Sequence, residues 1–379
     1  MKPLDLKTDS LAISAALVAE PGAAFTIQTA ELEAPRPDEI LVRVMAVGIC
    51  HTDLVTAQGN TTAPFPIVLG HEGAGEVAAV GAAVSKVRPG DRVIMTLRSC
   101  GDCPSCRCGQ PSYCHAKAAL NYSGARPDGS HTTRSDGKPI SASYFGQSSF
   151  ATHALAYERN VVKLPDGLPY WIAAPLGCGV QTGAGAIFRS LDCRPGASLV
   201  VAGAGAVGLS AVMAGRIRGC APIIVIEPDP GRRRLALEFG AAHAIDPTGE
   251  PDLAAALRRI LQAGPDYALD TSGRTSVIEA LVAAMAPLGK LGVLGLPPDL
   301  SDTIRVGVTT IMSGGLTIRG IVEGDSDPDV FIPELICLHQ SGQFPFDAMI
   351  KAYPFARINE AVADQLAGLC VKPVLLMEA

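Results

Sequence analysis

No stretch of about 18 uninterrupted apolar residues occurs in this sequence of 379 residues, which argues against a membrane-spanning helix. Basic runs are equally scarce. Arg232-Arg233-Arg234 is the one that stands out, and it reads as the solvated start of a helix. With a formal net charge of −6, the chain lacks the basic patch that a nucleic-acid partner needs. Met1 to Ser10 carry acids and no apolar core segment, so no signal peptide is expected and the location is expected to be cytoplasmic. Internal repeats and low-complexity tracts are also missing. What is there is a chain of 48% hydrophobic and 18% charged residues, the profile of a compact protein of two or three domains.

The chain changes rhythm near its middle. Its early part has no long amphipathic helix and reads as short strands, Ile40 to Val47, Gly75 to Val80 and Asp91 to Met95. Turns such as Arg88-Pro89-Gly90-Asp91 separate them, and Asn121 to Ser143 is expected to be a long polar surface loop. From about Val180, strands and helices alternate. Strands are expected at Ser198 to Ala202, Ile223 to Ile226, Ala242 to Ile245, Asp266 to Leu269 and Lys290 to Leu294. Helices are expected at Val207 to Arg218, Arg232 to Phe239, Leu253 to Leu261 and Val277 to Ala286. Such alternation predicts an α/β domain with a doubly wound parallel sheet. The tail is mixed, with a helix at Pro333 to Leu338 and a last strand near Lys372 to Met377.

Gly203-Ala204-Gly205-Ala206-Val207-Gly208 is a G-x-G-x-x-G between a predicted strand and a predicted helix, the context that marks a dinucleotide site. Gly203 permits the tight turn, Gly205 lets backbone approach a pyrophosphate, and Gly208 allows close helix–strand packing. Glu227, at the end of the next strand, can accept both ribose hydroxyls and would repel a 2′-phosphate, which favours NAD over NADP. Arg232 nearby offers the opposite preference.

Eleven cysteines without a signal peptide read as thiols or metal ligands more readily than as disulfides. Cys100, Cys103, Cys106 and Cys114 have the spacing of four thiolates that close a tetrahedron around a structural zinc. Cys108 is an extra thiol that could compete with Cys106. A second zinc would need ligands outside that loop. The candidates are Cys50, His71 and Cys178, each of which taken alone could be a buried thiol or a satisfied core histidine.

Taken in order, Gly48-Ile49-Cys50-His51-Thr52-Asp53, Gly70-His71-Glu72-Gly73, the four-cysteine loop, Gly177-Cys178-Gly179 and the glycine motif resemble the zinc-dependent medium-chain alcohol dehydrogenases. Within that family, Tyr144 to Phe150 and Gly320 to Ser326 look like the bacterial aryl (benzyl) alcohol dehydrogenases. The resemblance implies a GroES-like β-rich catalytic domain over residues 1–179 and 323–379, and a Rossmann NAD-binding domain over 180–322, with the active site in the cleft between them. It implies two zincs per chain, the catalytic one on Cys50, His71 and Cys178, and a homodimer or homotetramer built on the Rossmann sheet edge.

The implied reaction is hydride transfer from a zinc-bound alkoxide to NAD. The proton lost in forming that alkoxide is taken by Thr52, passed through the cofactor ribose hydroxyls and carried to solvent by His51, since an imidazole suits a shuttle. Asp53 would orient His71. Glu72 would sit behind the metal, a structural salt bridge being the alternative. Lys372 would lie near the cofactor phosphates, as His51 would more weakly, and Thr182 and Val207 would flank the nicotinamide, with packing an equal reading for Val207. Thr96, Phe145, Leu296 and Val322 would line an uncharged substrate channel. Ala118 and Ala119 stand where glutathione–formaldehyde enzymes carry an arginine. The implied substrate is a hydrophobic primary alcohol, benzylic first and terpenoid or allylic second. Two rivals are an inert NAD- and zinc-binding sensor and an interaction module built on the four-cysteine loop. Neither accounts for keeping Cys50, His71, Cys178 and Thr52 together.

Overall fold

A computed structural model describes residues 10–377, so the signal-peptide reading of the first nine residues lies outside the described residues. The chain forms two compact units. One comprises residues up to Cys178 with Asp327–Glu334 and Met349 onward, and the other comprises Gly179–Ser326 with Leu335–Ala348. The sequence implies residues 323–379 for the first unit, of which 323–326 fall in the second. The segment 335–348 instead belongs to the second, and Leu335, Ile336, Phe344 and Phe346 are all buried there.

The first unit is β-rich. Its larger sheet runs in the order Val161–Lys163, Arg92–Met95, Glu72–Val80, Glu39–Gly48, Lys372–Leu376, Ile350–Pro354, with His153–Tyr157 pairing on Glu39–Gly48 as well. Glu39–Gly48 is the central strand, and its apolar run is buried along nearly its whole length. It pairs antiparallel with Glu72–Val80, and Gly48 faces Glu72 at the end of the ladder. That register decides where the chemistry sits. Cys50, two residues past Gly48, and His71, one residue before Glu72, emerge at the same edge. A Cβ on Gly48 would lie 2.0 Å from a Glu72 carboxylate oxygen, so only glycine fits there.

A second sheet in this unit has the order Ile67–Val68, Ser10–Val18, Thr26–Glu33, Thr133–Ser135, Lys138–Ile140. Its last two strands correct the expectation of a surface loop over residues 121–143. Asp136 and Gly137 both have positive φ and join Ser135 to Lys138 in a two-residue hairpin. An Asp-Gly pair is the standard local signal for that turn, outweighed in the sequence reading by the polar composition around it.

The second unit holds six parallel strands in the order His243–Ile245, Ile223–Ile226, Leu199–Ala202, Tyr267–Asp270, Lys290–Val293, Thr317–Gly320. In chain order this is 3-2-1-4-5-6, the doubly wound arrangement with its switch point beside Leu199–Ala202. The fold class is therefore α/β as the sequence implied. The strand Thr317–Gly320 and the helix Val308–Gly314 were not anticipated. The tail helix starts at Pro328, not Pro333, and runs through the second proline to Gln340. Reading a proline as the first helical residue is sound in general, but two prolines five residues apart leave the choice open. Among the described residues, no helix is long and apolar enough to cross a membrane.

Candidate active site

The short helix His51–Ala57 begins at Cys50, whose backbone N–H donates to Asp53 Oδ2 at 3.0 Å. Asp53 Oδ1 accepts from Gly70 N–H at 3.1 Å and lies 2.8 Å from His71 Nδ1. One buried carboxylate thus ties the cysteine loop to the histidine loop. It also fixes the tautomer: Nδ1–H faces Asp53, so Nε2 is left bare. Nε2 is buried with no hydrogen-bond partner. One ligand atom from each of Cys50, His71, Glu72 and Cys178 lies within 4.8 Å of all the others. A buried, unpartnered imidazole nitrogen beside two thiols is a donor set for a borderline-soft divalent ion such as zinc.

The electrostatics favour a cation at that point. A hydrogen bond from Cys178 pulls the Cys50 pKa well below the usual thiol value against the effect of burial, and His71 adds to it. Thiolate is the form that ligates. Burial opposes a charge on His71, yet the Asp53 carboxylate outweighs it and holds the imidazole pKa well above its ordinary value. The field that would hold a proton there suits a metal ion equally.

Glu72 and Lys372 form a fully buried pair behind this cluster. Lys372 Nζ donates to the two Glu72 oxygens at 2.8 and 2.7 Å and to the Ile49 carbonyl at 3.1 Å. An ammonium has three donors, and all three are used. Lys372 is 2% exposed, so the expected role near the cofactor phosphates gives way to one in the metal cluster's surroundings. Burial raises the Glu72 pKa above the ordinary carboxylate value although Lys372 works against it.

The segment Tyr144 to Phe150 builds a cage around His71. The Phe145 ring stacks on the imidazole with centroids 4.4 Å apart, and Tyr144 meets it edge-on at 5.7 Å. Phe145 holds φ of 52°, a left-handed conformation costly for a bulky residue and one found where a site over-determines the backbone. Gln147 Nε2 donates to the carbonyls of His71 at 2.9 Å and Thr96 at 3.3 Å, and its Oε1 accepts from Gly73 N–H at 3.2 Å. In the sequence this segment carries a subfamily mark and one substrate-channel candidate, Phe145, and Gln147 is not singled out. A glutamine inside an otherwise buried run was the available signal. Thr96 is fully buried with its hydroxyl donating to Gly177 O at 2.6 Å, which directs the oxygen to backbone. Thr52 is half-buried, with its hydroxyl 3.7 Å from Cys50 Sγ, and His51 is exposed.

The four-cysteine loop gathers Cys100, Cys103, Cys106 and Cys114 into a second cluster. Backbone N–H groups of Cys100, Cys103 and His115 donate to the sulfurs of Cys114, Cys100 and Cys103 at 3.3 to 3.4 Å. The amide of His115 is the first cause that draws the Cys103 pKa down to about 6. Cys108 is exposed and stands outside the cluster.

In the second unit, Gly203 has φ of 95°, and a Cβ on it would meet Thr271 Oγ1 at 2.3 Å. A Cβ on Gly208 would strike the Gly203 carbonyl at 1.9 Å, whereas one on Gly205 would meet nothing. The turn is therefore tight at its ends and open at its middle, the cradle a pyrophosphate needs. Glu227 is buried, with Oε2 accepting from Ala204 N–H at 2.7 Å and Oε1 from Asp229 N–H at 3.0 Å. Arg232 lies in the helix Pro230–Phe239, its N–H donating to Asp229 at 2.7 Å. The Thr182 hydroxyl donates to Glu323 Oε2 at 3.3 Å. Val207 and Val322 are half-buried, and Leu296 is exposed.

Comparison with known proteins now bears on this geometry. Residues 36–166 match the alcohol dehydrogenase GroES-like domain, and residues 206–336 match the zinc-binding dehydrogenase domain. A geraniol dehydrogenase of Castellaniella defragrans is 45% identical over 370 residues, 97% of this chain and 98% of that one. The chain belongs to the zinc-binding alcohol dehydrogenases. Among solved structures, benzyl alcohol dehydrogenase from Acinetobacter calcoaceticus aligns with a TM-score of 0.93 at 40% identity, covering 97% of this chain and 100% of that one. An alcohol dehydrogenase zinc-binding domain protein from Burkholderia ambifaria gives 0.95 at 47%, covering 98% and 100%.

For a zinc-binding alcohol dehydrogenase, Asp53 is the side chain that orients the candidate ligand His71. Asparagine offers one carbonyl oxygen where the carboxylate uses two. Asp53→Asn must therefore release either the Cys50 amide or the pair formed by Gly70 and His71. Partners of this kind are worth about 10- to 100-fold in metal affinity or activity. Competition with a chelator should show the variant giving up one zinc at correspondingly lower chelator concentration. Equal retention would exclude this role.

Proposed function

We propose that this chain catalyses the reversible, NAD-linked oxidation of a hydrophobic primary alcohol to its aldehyde. Cys50, His71 and Cys178 would hold the catalytic zinc, and Cys100, Cys103, Cys106 and Cys114 the structural one. The observation that carries the reading is the bare, buried Nε2 of His71 beside two thiols. Bound zinc supplies a Lewis acid that acidifies the alcohol, and NAD supplies the hydride acceptor.

The chain's own residues do the rest. Asp53 and Gln147 hold His71 from two sides, its ring nitrogen and its carbonyl. The Thr52 hydroxyl takes the alcohol proton, and exposed His51 passes it to water. Glu227 accepts the ribose hydroxyls. Each of its oxygens already takes one amide hydrogen, and a carboxylate oxygen has room for another. Gly203, Gly205 and Gly208 receive the pyrophosphate, with Val207, Thr182 and Arg232 beside the cofactor. Two or more chains assemble through the edge of the parallel sheet.

The substrate class is read as an alcohol whose carbinol carbon adjoins an sp² carbon, benzylic first. Phe145 and Thr96 are uncharged and buried beside His71 and Gly177, and Leu296 and Val322 are apolar. A structural relative named for benzyl alcohol supports the aryl choice. A relative named for geraniol supports the allylic one. Both substrates share the activated carbinol, and conjugation stabilises either aldehyde. The test is NADH formation by the purified enzyme with benzyl alcohol, geraniol and hexanol, each with NAD and NADP. Rapid NAD-linked turnover of benzyl alcohol with hexanol poor is expected. Faster geraniol turnover moves the substrate to terpenoids, and NADP used as well as NAD removes the argument from Glu227.

A further inference from the structure

The fold pairs one buried arginine of the first unit with two carboxylates and gives another only the side chain of a tyrosine. Arg126 is 4% exposed and bonds bidentately to Glu39 and again to Glu33, the arrangement a buried guanidinium requires. Arg98 is 9% exposed and has no such partner. It lies over the Tyr157 ring, 3.2 Å from the centroid, and no carboxylate or carbonyl oxygen of the described residues bonds its guanidinium.

Nearby acids do not answer for this. Glu39 takes hydrogen bonds from Arg126, Arg36 and Tyr157. Glu158 is held through one oxygen by the amides of Ser85 and Lys86 at 2.5 Å each. Asp38 is exposed.

Arg98 opens onto a cavity of about 320 Å³. Arg159, exposed and without an acceptor among the described residues, lines the same cavity, as does Cys100 of the four-cysteine loop. Leu120, Val84 and the Tyr157 ring form its apolar wall. A volume of that size is ample for a small organic molecule and far larger than a bare inorganic anion needs.

We propose that this cavity is a binding site for a small organic carboxylate, whose head pairs with Arg98 and Arg159 and whose apolar body rests on Leu120, Val84 and Tyr157. The site is built entirely within the first unit and is distinct from the cluster of Cys50, His71 and Cys178. Because Cys100 lines it, an occupant shields one ligand of the structural zinc.

The test uses the full chain with both zincs and sodium benzoate as probe, with inorganic phosphate as the head-only control. Benzoate can also meet the catalytic metal, so the reading is the difference between parent and Arg98→Gln. Calorimetry should show the parent binding benzoate on the order of tenfold more tightly than Arg98→Gln, the worth of a charge-assisted pair. Asp38 lines the same cavity, so Asp38→Asn should tighten binding severalfold by removing an opposing charge. Benzoate should slow zinc release from the loop by a thiol reagent in the parent and not in Arg98→Gln. Equal benzoate affinity in parent and variant overturns the site. Phosphate binding as tightly as benzoate overturns the organic-carboxylate assignment. Should Arg98→Gln fail to fold, exposed Arg159→Gln replaces it; severalfold weakening supports the proposal and unchanged affinity ends it.

Discussion

His71→Asn should leave a folded protein that carries one zinc in place of two and has lost alcohol oxidation by on the order of a thousandfold or more. Asparagine can still hydrogen-bond to Asp53, so the loop at Gly70 keeps its anchor, but it offers no imidazole nitrogen toward Cys50 and Cys178. Nothing in the four-cysteine cluster touches this position, so the second zinc stays. Metal analysis by atomic absorption, paired with turnover of benzyl alcohol, reads both effects at once. Retention of two zincs would show that the bare Nε2 is not a ligand, and loss of both would show that the two clusters are one folding unit. Either result removes the assignment of separate catalytic and structural sites.

Lys372→Met carries the largest expected effect on stability. The change strips the Lys372 ammonium from Glu72, whose side chain is fully buried, and leaves a carboxylate in a low-dielectric setting. Breaking a buried pair by removing one partner costs about 3–5 kcal/mol. Burial already pushes the Glu72 pKa up with Lys372 present, so without it Glu72 should fold protonated. The stability lost is then recovered in part as pH falls and the carboxyl takes up a proton. The sign follows from linkage: a group whose folded pKa lies above its unfolded value favours folding at low pH and opposes it as pH rises through the folded value. Replacing both members, Lys372→Met with Glu72→Leu, should restore most of the stability, because the pair's own net worth is small. Denaturant unfolding at two pH values checks all three statements. A single variant as stable as the parent at neutral pH would mean that water reaches Glu72.

How much of this was legible beforehand differs from residue to residue. Five of the six parallel strands came through because each is a short apolar run between helical periods, and a parallel sheet buried on both faces writes itself as such runs. The strand at Ile223–Ile226 matches its expected limits. The hairpin at Thr133–Ile140 did not come through, since its strands are three residues each and partly polar, and its stability comes from pairing with Thr26–Glu33. The edge strand Thr317–Gly320 is half-exposed and carries no alternation to read. Cys100 to Cys114 were legible as a group because a metal loop is local and its ligands sit within a few turns of chain.

Apolar periodicity and motif spacing by themselves determined a two-part α/β chain with a four-cysteine metal loop and a glycine-rich phosphate turn, and the order of the motifs carried the resemblance that implied a dehydrogenase and a second ligand set. These are properties of short segments, fixed by side-chain chemistry and by the period of apolar residues. Only the tertiary structure decided which groups meet across long stretches of chain. The Gly48–Glu72 register brings Cys50 to His71, and Gln147 braces that histidine from another loop. Lys372 reaches back across 300 residues to neutralise Glu72. Arg98, which looks in sequence like any arginine beside a cysteine-rich loop, meets the Tyr157 side chain and no paired carboxylate, while Arg126 takes Glu39. A buried charge is matched or unmatched by what folds around it, and no local pattern records that.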